Sequence, residues 1–309
     1  MRRILVPLDG STFAEGILSD ARRYAGPGGV LILALDAGEI HFDDKTGTHG
    51  KGTASQEAHA YLHRVADRLR AEGGEIETVL LRTPNVPSSI NLAAGLADVN
   101  MIACATHGEG PMGRLLWGSV AWEALVRSRV PVLLRHAEDS AGSGDARPAE
   151  QRKIMVPLDG SPFAEIALRV AGEFASEWKA SLLLVSVTAG SPIAPHPEVL
   201  PLLDATRERF ASVRSYLENL AAALPGEVET EVCEDGRVVH ALVSLVKDEM
   251  VTDVVLSSHG HSGLSRVILG SVADGLIHRL HCPIVVIPAT ATLSRSVTRE
   301  TIKRAIPVS

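Results

Sequence analysis

The chain has 309 residues, 45% of them hydrophobic but only 4% aromatic, with a formal net charge of −7. That length fits about two ordinary domains, and the apolar share supports cores built on Val, Leu, Ile and Ala rather than disorder. The negative balance argues against a nucleic-acid partner, which would need clustered Lys and Arg to neutralise phosphates; a single nucleotide needs only a few local donors.

In chain order the pattern alternates strand and helix. Arg3–Pro7 reads as a strand, Thr12–Tyr24 as a helix and Val30–Leu35 as the next strand. Asp36–Thr53 is polar loop, and Ser55–Glu72 is a helix with Ala58, Leu62, Val65 and Leu69 on one face. Ile76–Leu81, Ser88–Ala97 and Met101–Ala105 follow as strand, helix, strand; Ser119–Arg127 is a helix and Pro131–Leu134 a strand. The second half repeats the scheme: strand Lys153–Pro157, helix Pro162–Trp178, strand Ser181–Val187, helix Leu202–Ala223 and strand Val228–Cys233. Helix Val238–Glu249, strand Asp253–Ser257, helix Ser271–Leu280 and strand Ile284–Ile287 complete it. Such alternation implies right-handed parallel crossovers and a sheet covered on both faces. The expected fold is therefore α/β, two tandem open parallel-sheet sandwiches of Rossmann-like kind.

The halves are copies. Arg2–Leu18, "RRILVPLDGSTFAEGIL", and Arg152–Leu168, "RKIMVPLDGSPFAEIAL", agree at twelve of seventeen positions. The expected layout is a first domain over residues 1–137, a polar linker 138–151, a second domain 152–289 and a tail 290–309. No stretch approaches the roughly 18 apolar residues of a membrane span. The opening "MRRILVPLDG" is too short and too broken for a signal segment. The three cysteines, Cys104, Cys233 and Cys282, form no CxxC pair and read as reduced thiols. Together these predict a soluble, cytoplasmic protein with no membrane contact.

Two loops carry the chemistry: "ATHGEGPMGRLLWGS", Ala105–Ser119, and "SSHGHSGLSRVILGS", Ser257–Ser271. Each sets His-Gly after an apolar run, then nine residues, then Gly-Ser-Val opening an amphipathic stretch. Glycine lets backbone approach a ligand, and the unpaired N–H groups of a helix start attract anions. The matched copies turn a common turn-and-cap pattern into a candidate phosphate cradle. Asp9 and Asp159, in "DGS" after the first strand of each half, fall at the carboxyl edge where such sheets bind ligands. They are read either as ribose or base acceptors or as turn formers. Ser11 and Ser161 are read as helix caps, the latter followed by Pro162. His107 and His259 lack a partner for catalysis or metal ligation and are read as turn histidines. Arg114 and Arg266 are equally apt beside a phosphate and in solvent. "GTHGKGT", Gly47–Thr53, is not a P-loop, because its spacing is short and Gly52 follows the lysine.

The strings "ILVPLDGS" and "IMVPLDGS", "ATHG-x9-GSV" and "SSHG-x9-GSV", with terminal "VPVLL" and "CPIVVI", resemble the universal stress protein family over both halves. The chain looks like a tandem-domain member of its ATP-binding branch, whose pattern is G-x2-G-x9-G-[S/T]. The resemblance implies a five-stranded parallel sandwich per half, with ATP and its Mg²⁺ as ligand. Adenine would lie near the first two strands, the ribose at the strand-one Asp, and the phosphates on the glycine loop and Gly-Ser. Carried over, the nucleotide-binding residues are Pro7, Asp9, Leu35, Ala105, Gly108, Gly118, Ser119 and Val120. In the second half they are Pro157, Asp159, Val187, Ser257, Gly260, Gly270, Ser271 and Val272, with Arg266 beside them. Ala105 and Ser257 stand where the pattern has its first glycine. Glu109 would repel phosphate in the first loop, and the second loop carries no acid, so the second half is the better expected site. The resemblance also implies that Val130–Leu134 and Pro283–Ile287 pair within the chain as an internal pseudo-dimer, with two chains able to pair further. The expected role is a nucleotide-dependent sensor or regulator in stress response, with an unidentified protein partner and no catalytic residue. An interaction protein of the same fold without nucleotide, and a slow nucleotide hydrolase, are the alternatives.

Overall fold

The computed structural model describes residues 2–36, 54–81, 98–106, 119–136, 148, 151–188, 200–258, 269–288 and 291. In the first half these form β1 (Arg3–Leu8), α1 (Thr12–Glu15), α2 (Leu18–Ala25), β2 (Val30–Asp36), α3 (Ala54–Ala71), β3 (Glu75–Leu81), β4 (Met101–Thr106), α4 (Ser119–Arg127) and β5 (Val132–His136). The second half gives β6 (Lys153–Pro157), α5 (Pro162–Trp178), β7 (Ser181–Thr188), α6 (Leu200–Ala222), β8 (Val228–Glu234), α7 (Val238–Asp248), β9 (Asp253–Ser257), α8 (Ser271–Ile277) and β10 (Ile284–Ile287). The expected helix Ser88–Ala97, the interiors of both glycine loops (107–118 and 259–268) and most of the linker and tail lie outside the described residues.

The ten strands of the described residues share one sheet, ordered β3-β2-β1-β4-β5-β10-β9-β6-β7-β8. Every neighbouring pair is parallel except β5 and β10, which run antiparallel with Leu133 opposite Val285. Strand order reverses between β1 and β4 in one half and between β6 and β9 in the other. Crossovers leave in opposite directions there and open a crevice at the strands' carboxyl ends. Both sheet faces are covered. One core gathers Leu18, Tyr24, Leu62, Val65, Ala171 and Phe174 from α2, α3 and α5. The other gathers Ala124, Leu125, Leu242, Ala273 and Leu276 from α4, α7 and α8.

One expected helix is broken. Thr12–Tyr24 divides into α1 and α2 at Gly16, whose N–H donates back to the Phe13 carbonyl at 3.0 Å. Glycine is a poor helix interior residue. The matching position in the second half is Ile166, and there α5 runs unbroken from its Ser161 cap and first-turn Pro162. The helix expected over Ser271–Leu280 stops at Ile277, where the last turn tightens through Arg279 and Leu280 N–H groups onto the Leu276 carbonyl.

The two halves are also joined by buried charge. Asp20 accepts from Arg135 at 2.6 Å and Arg23 at 2.9 Å. Asp253 accepts from Arg23 at 2.9 Å, Arg152 at 3.1 Å and the Tyr24 hydroxyl at 2.7 Å. The Tyr24 ring meets Phe174 and Trp178 edge-on, each at 4.9 Å. Burying these charges is tolerable only because Asp20 is matched by two guanidiniums, and Asp253 by two guanidiniums and a hydroxyl.

Candidate functional site

The crevice at the second half's reversal point is a cavity of about 310 Å³, at the lower end of the range of about 300–1,000 Å³ usual for small-molecule sites. Its walls come from six elements, with α5 contributing Ala164. The end of β6 and the turn after it give Pro157, Leu158 and Asp159, and β7 gives Val185 and Val187. The first turns of α7 give Val238 and Leu242. Leu256, Ser257 and Ser258 end β9, and Gly270–Ala273 open α8. Each is there for a local reason. The Leu158 N–H continues the ladder onto the Val185 carbonyl at 2.7 Å. Gly160 then takes a left-handed turn at φ 80°, open to glycine at no steric cost. The Ser258 N–H donates to the Ile287 carbonyl and the Gly270 N–H to the Ser258 carbonyl, both at 2.8 Å. The two ends of the second glycine loop therefore meet at the cavity rim.

The lining divides by chemistry. Val185, Val187, Val238, Leu242 and Leu256 supply apolar lining, and Asp159, Ser257, Ser258 and Ser271 supply the polar residues. Gly270 caps α8 without a side chain, and first-turn N–H groups have no partner within their own helix. Asp159 also serves the chain, accepting the Ser161 N–H at 2.9 Å. The Ser161 hydroxyl accepts the Ala164 N–H at 3.2 Å, so Ser161 is the expected helix cap. Just ahead of Val238, the Arg237 N–H donates to Asp235 at 2.8 Å. That bond, with His240 adding to it, holds the Asp235 carboxyl below its ordinary range.

Of the residues expected in the second half, Pro157, Asp159, Val187, Ser257, Gly270, Ser271 and Val272 all line this cavity. Gly260 and Arg266 lie outside the described residues, as do His259 and the first loop's His107, Gly108, Arg114 and Gly118. In the first half Pro7 and Leu35 stand on neighbouring strands, with Leu8 paired to Leu35, and Ala105 pairs with Arg135. Asp9 repeats the turn, accepting the Ser11 N–H at 2.9 Å and its hydroxyl at 2.6 Å. Ser119 and Val120 open α4.

Sequence reasoning missed Leu158, Ala164, Val185, Val238, Leu242, Leu256, Ser258 and Ala273. Val238 and Leu242 carried a signal, since their i, i+4 spacing puts them on one helix face; nothing local says that the face meets β7. A broader cleft of about 610 Å³ lies at the opposite, amino edge, lined by Gly26–Gly29, Gly73 and Gly74 with Arg22 and Arg23. Those arginines bind Glu72, Asp20 and Asp253, and ligands of open α/β sheets bind at the carboxyl edge, so the smaller cavity is the candidate.

Known proteins resemble the chain throughout. The universal stress protein family profile matches residues 1–136 and again 150–288. A universal stress protein of Mycobacterium tuberculosis is 27% identical over 214 residues, covering 68% of each chain. One from Methanocaldococcus jannaschii is 28% identical over 141 residues, covering 44% of this chain and 81% of its own. Among solved structures, a universal stress protein from Archaeoglobus fulgidus superposes with a TM-score of 0.66 at 20% identity, covering 92% of this chain and 97% of that one. A Pseudomonas aeruginosa structure described as a putative universal stress protein reaches 0.62 at 19%, covering 93% of both. At those identities the structures establish the fold.

Proposed function

The chain belongs to the universal stress protein family, and from that premise we propose that its second half binds ATP, accompanied by Mg²⁺, as a nucleotide-dependent sensor or regulator. The observation that carries the reading is convergence. Seven residues that the resemblance implies for nucleotide contact line one cavity at the sheet's reversal point, together with apolar residues of β7 and α7. In this reading adenine lies between Val187 and the α7 pair Val238 and Leu242. Asp159 accepts from the ribose hydroxyls, and the Gly270–Ser271 backbone with Arg266 receives the phosphates. Mg²⁺ arrives with the nucleotide and is held by its phosphates. Recognition, rather than proton transfer, is what this set of groups supplies. A stress-response role follows from family membership and not from the cavity.

The test is calorimetric titration with Mg·ATP. Wild type should bind. Val238→Trp, at a half-buried residue of the cavity wall, should abolish the heat while leaving the circular dichroism spectrum unchanged. Gly260→Val should also abolish it, because a branched side chain bars close backbone approach, whereas Gly108→Val should not. Wild type that shows no heat at millimolar nucleotide would sink the proposal and leave the interaction-protein reading in its place.

A further inference from the structure

The solvent face of α3 carries two adjacent histidines, His59 and His63, apart from the cavity. His59 and His63 stand four residues apart, which sets them one above the other on a helix. Both are exposed. Their ring centroids lie 4.3 Å apart with the planes inclined at 46°. The same helix buries Ala58, Tyr61, Leu62, Val65, Ala66 and Leu69 on its other face, so the backbone beneath the pair is anchored by the core. Only the two imidazoles need to rotate.

Two imidazoles on one ion, each at the usual metal–nitrogen distance of about 2.0–2.1 Å, place their ring centres about 4.5–5 Å apart. The observed separation is within a few tenths of an ångström of that. The neighbouring cations are directed elsewhere: Arg64 lies over the Tyr61 ring at 5.5 Å, Arg68 binds Glu15 at 2.6 Å and Arg70 binds Asp67 at 3.0 Å.

We propose that His59 and His63 form a bidentate site for a late divalent transition metal, with Cu(II) bound most tightly. Imidazole suits copper, nickel and zinc, and affinity among them peaks at copper; magnesium and calcium take oxygen ligands and are not expected here. Among the described residues no third His, Cys, Asp or Glu completes a set. The bound ion therefore keeps open positions for water or an added ligand, and the site exchanges metal instead of holding it structurally.

Cupric chloride titrated into the full chain near neutral pH, read by electron paramagnetic resonance and competition with a chelator, tests this. The comparison variants are His59→Ala, His63→Ala and, as a control, His240→Ala, an exposed histidine paired with Asp235. Alanine favours the helix, so both site variants should fold. The tightest copper equivalent should weaken at least about tenfold in each site variant, because losing one arm of a chelate removes its effective concentration. It should persist in His240→Ala, with a two-nitrogen spectrum in wild type. A smaller loss in either site variant, or an equal loss in the control, overturns the proposal.

Discussion

Asp253→Ala should separate the two halves energetically. The carboxylate is fully buried and accepts three donors: Tyr24 at 2.7 Å, Arg23 at 2.9 Å and Arg152 at 3.1 Å. Burial, with the Asp253 charge adding to it, pushes the Tyr24 phenol well above its ordinary range, so it stays a donor. Alanine leaves Arg152, only 3% exposed, without this carboxylate, while Arg23 keeps Asp20 at 2.9 Å. Removing one partner from a buried pair costs about 3–5 kcal/mol, and the retained Asp20 bond favours the lower end. Tyr24→Phe removes a single bond to a charged acceptor, about 1.5–3 kcal/mol. Because both changes break one interaction, the double variant should cost less than their sum. Urea unfolding followed by circular dichroism measures all three. A cost below about 1 kcal/mol for Asp253→Ala, or full additivity, would refute the reasoning.

Two further outcomes are expected. In Gly275→Ala the new methyl would sit 2.7 Å from Val239 Cγ2. The resulting overpacking of α8 on α7 should cost about 1–3 kcal/mol despite alanine's better helix propensity, and it should weaken nucleotide binding through the adjacent Val238. A thermal melt that rises would contradict this. Burial pushes the Cys104 thiol up to about 12, and burial with Glu231 and Asp235 also raises the Cys233 thiol, so in mildly alkaline buffer a thiol reagent should label Cys282 fast, Cys233 more slowly, and Cys104 only after urea is added. Three equivalents labelled without urea would count against a buried Cys104.

The fold was largely legible because the duplication repeats every local signal. "VPLDGS" and Gly-Ser-Val mark strand ends and helix starts in both halves, and the apolar runs between them have strand and helix lengths. What failed locally was Gly16, at a position where the other half has Ile166, and the end of α8, which stops at Ile277 short of the expected Leu280. The cavity's polar rim was legible for the same reason, since Asp159, Ser257 and Ser271 sit in motifs. Its apolar wall was not. Val238 and Leu242 look like ordinary core residues until the packing of α7 against β7 is known. The buried carboxylates were also hidden. The position matching Asp253 in the first half is Met101, so the repeat gave no sign that Tyr24, Arg23 and Arg152 would converge there. Sequence reasoning passed over His59 and His63, whose four-residue spacing lies on the polar face opposite the apolar residues that defined the helix.

The most direct test of the nucleotide site is a crystal structure of the full chain grown with Mg·ATP. Adenine should lie between Val187 and Leu242, the ribose within hydrogen-bond distance of Asp159, and the phosphates at Gly270 and Ser271. Density elsewhere, or an empty second-half cavity at saturating nucleotide, would contradict it.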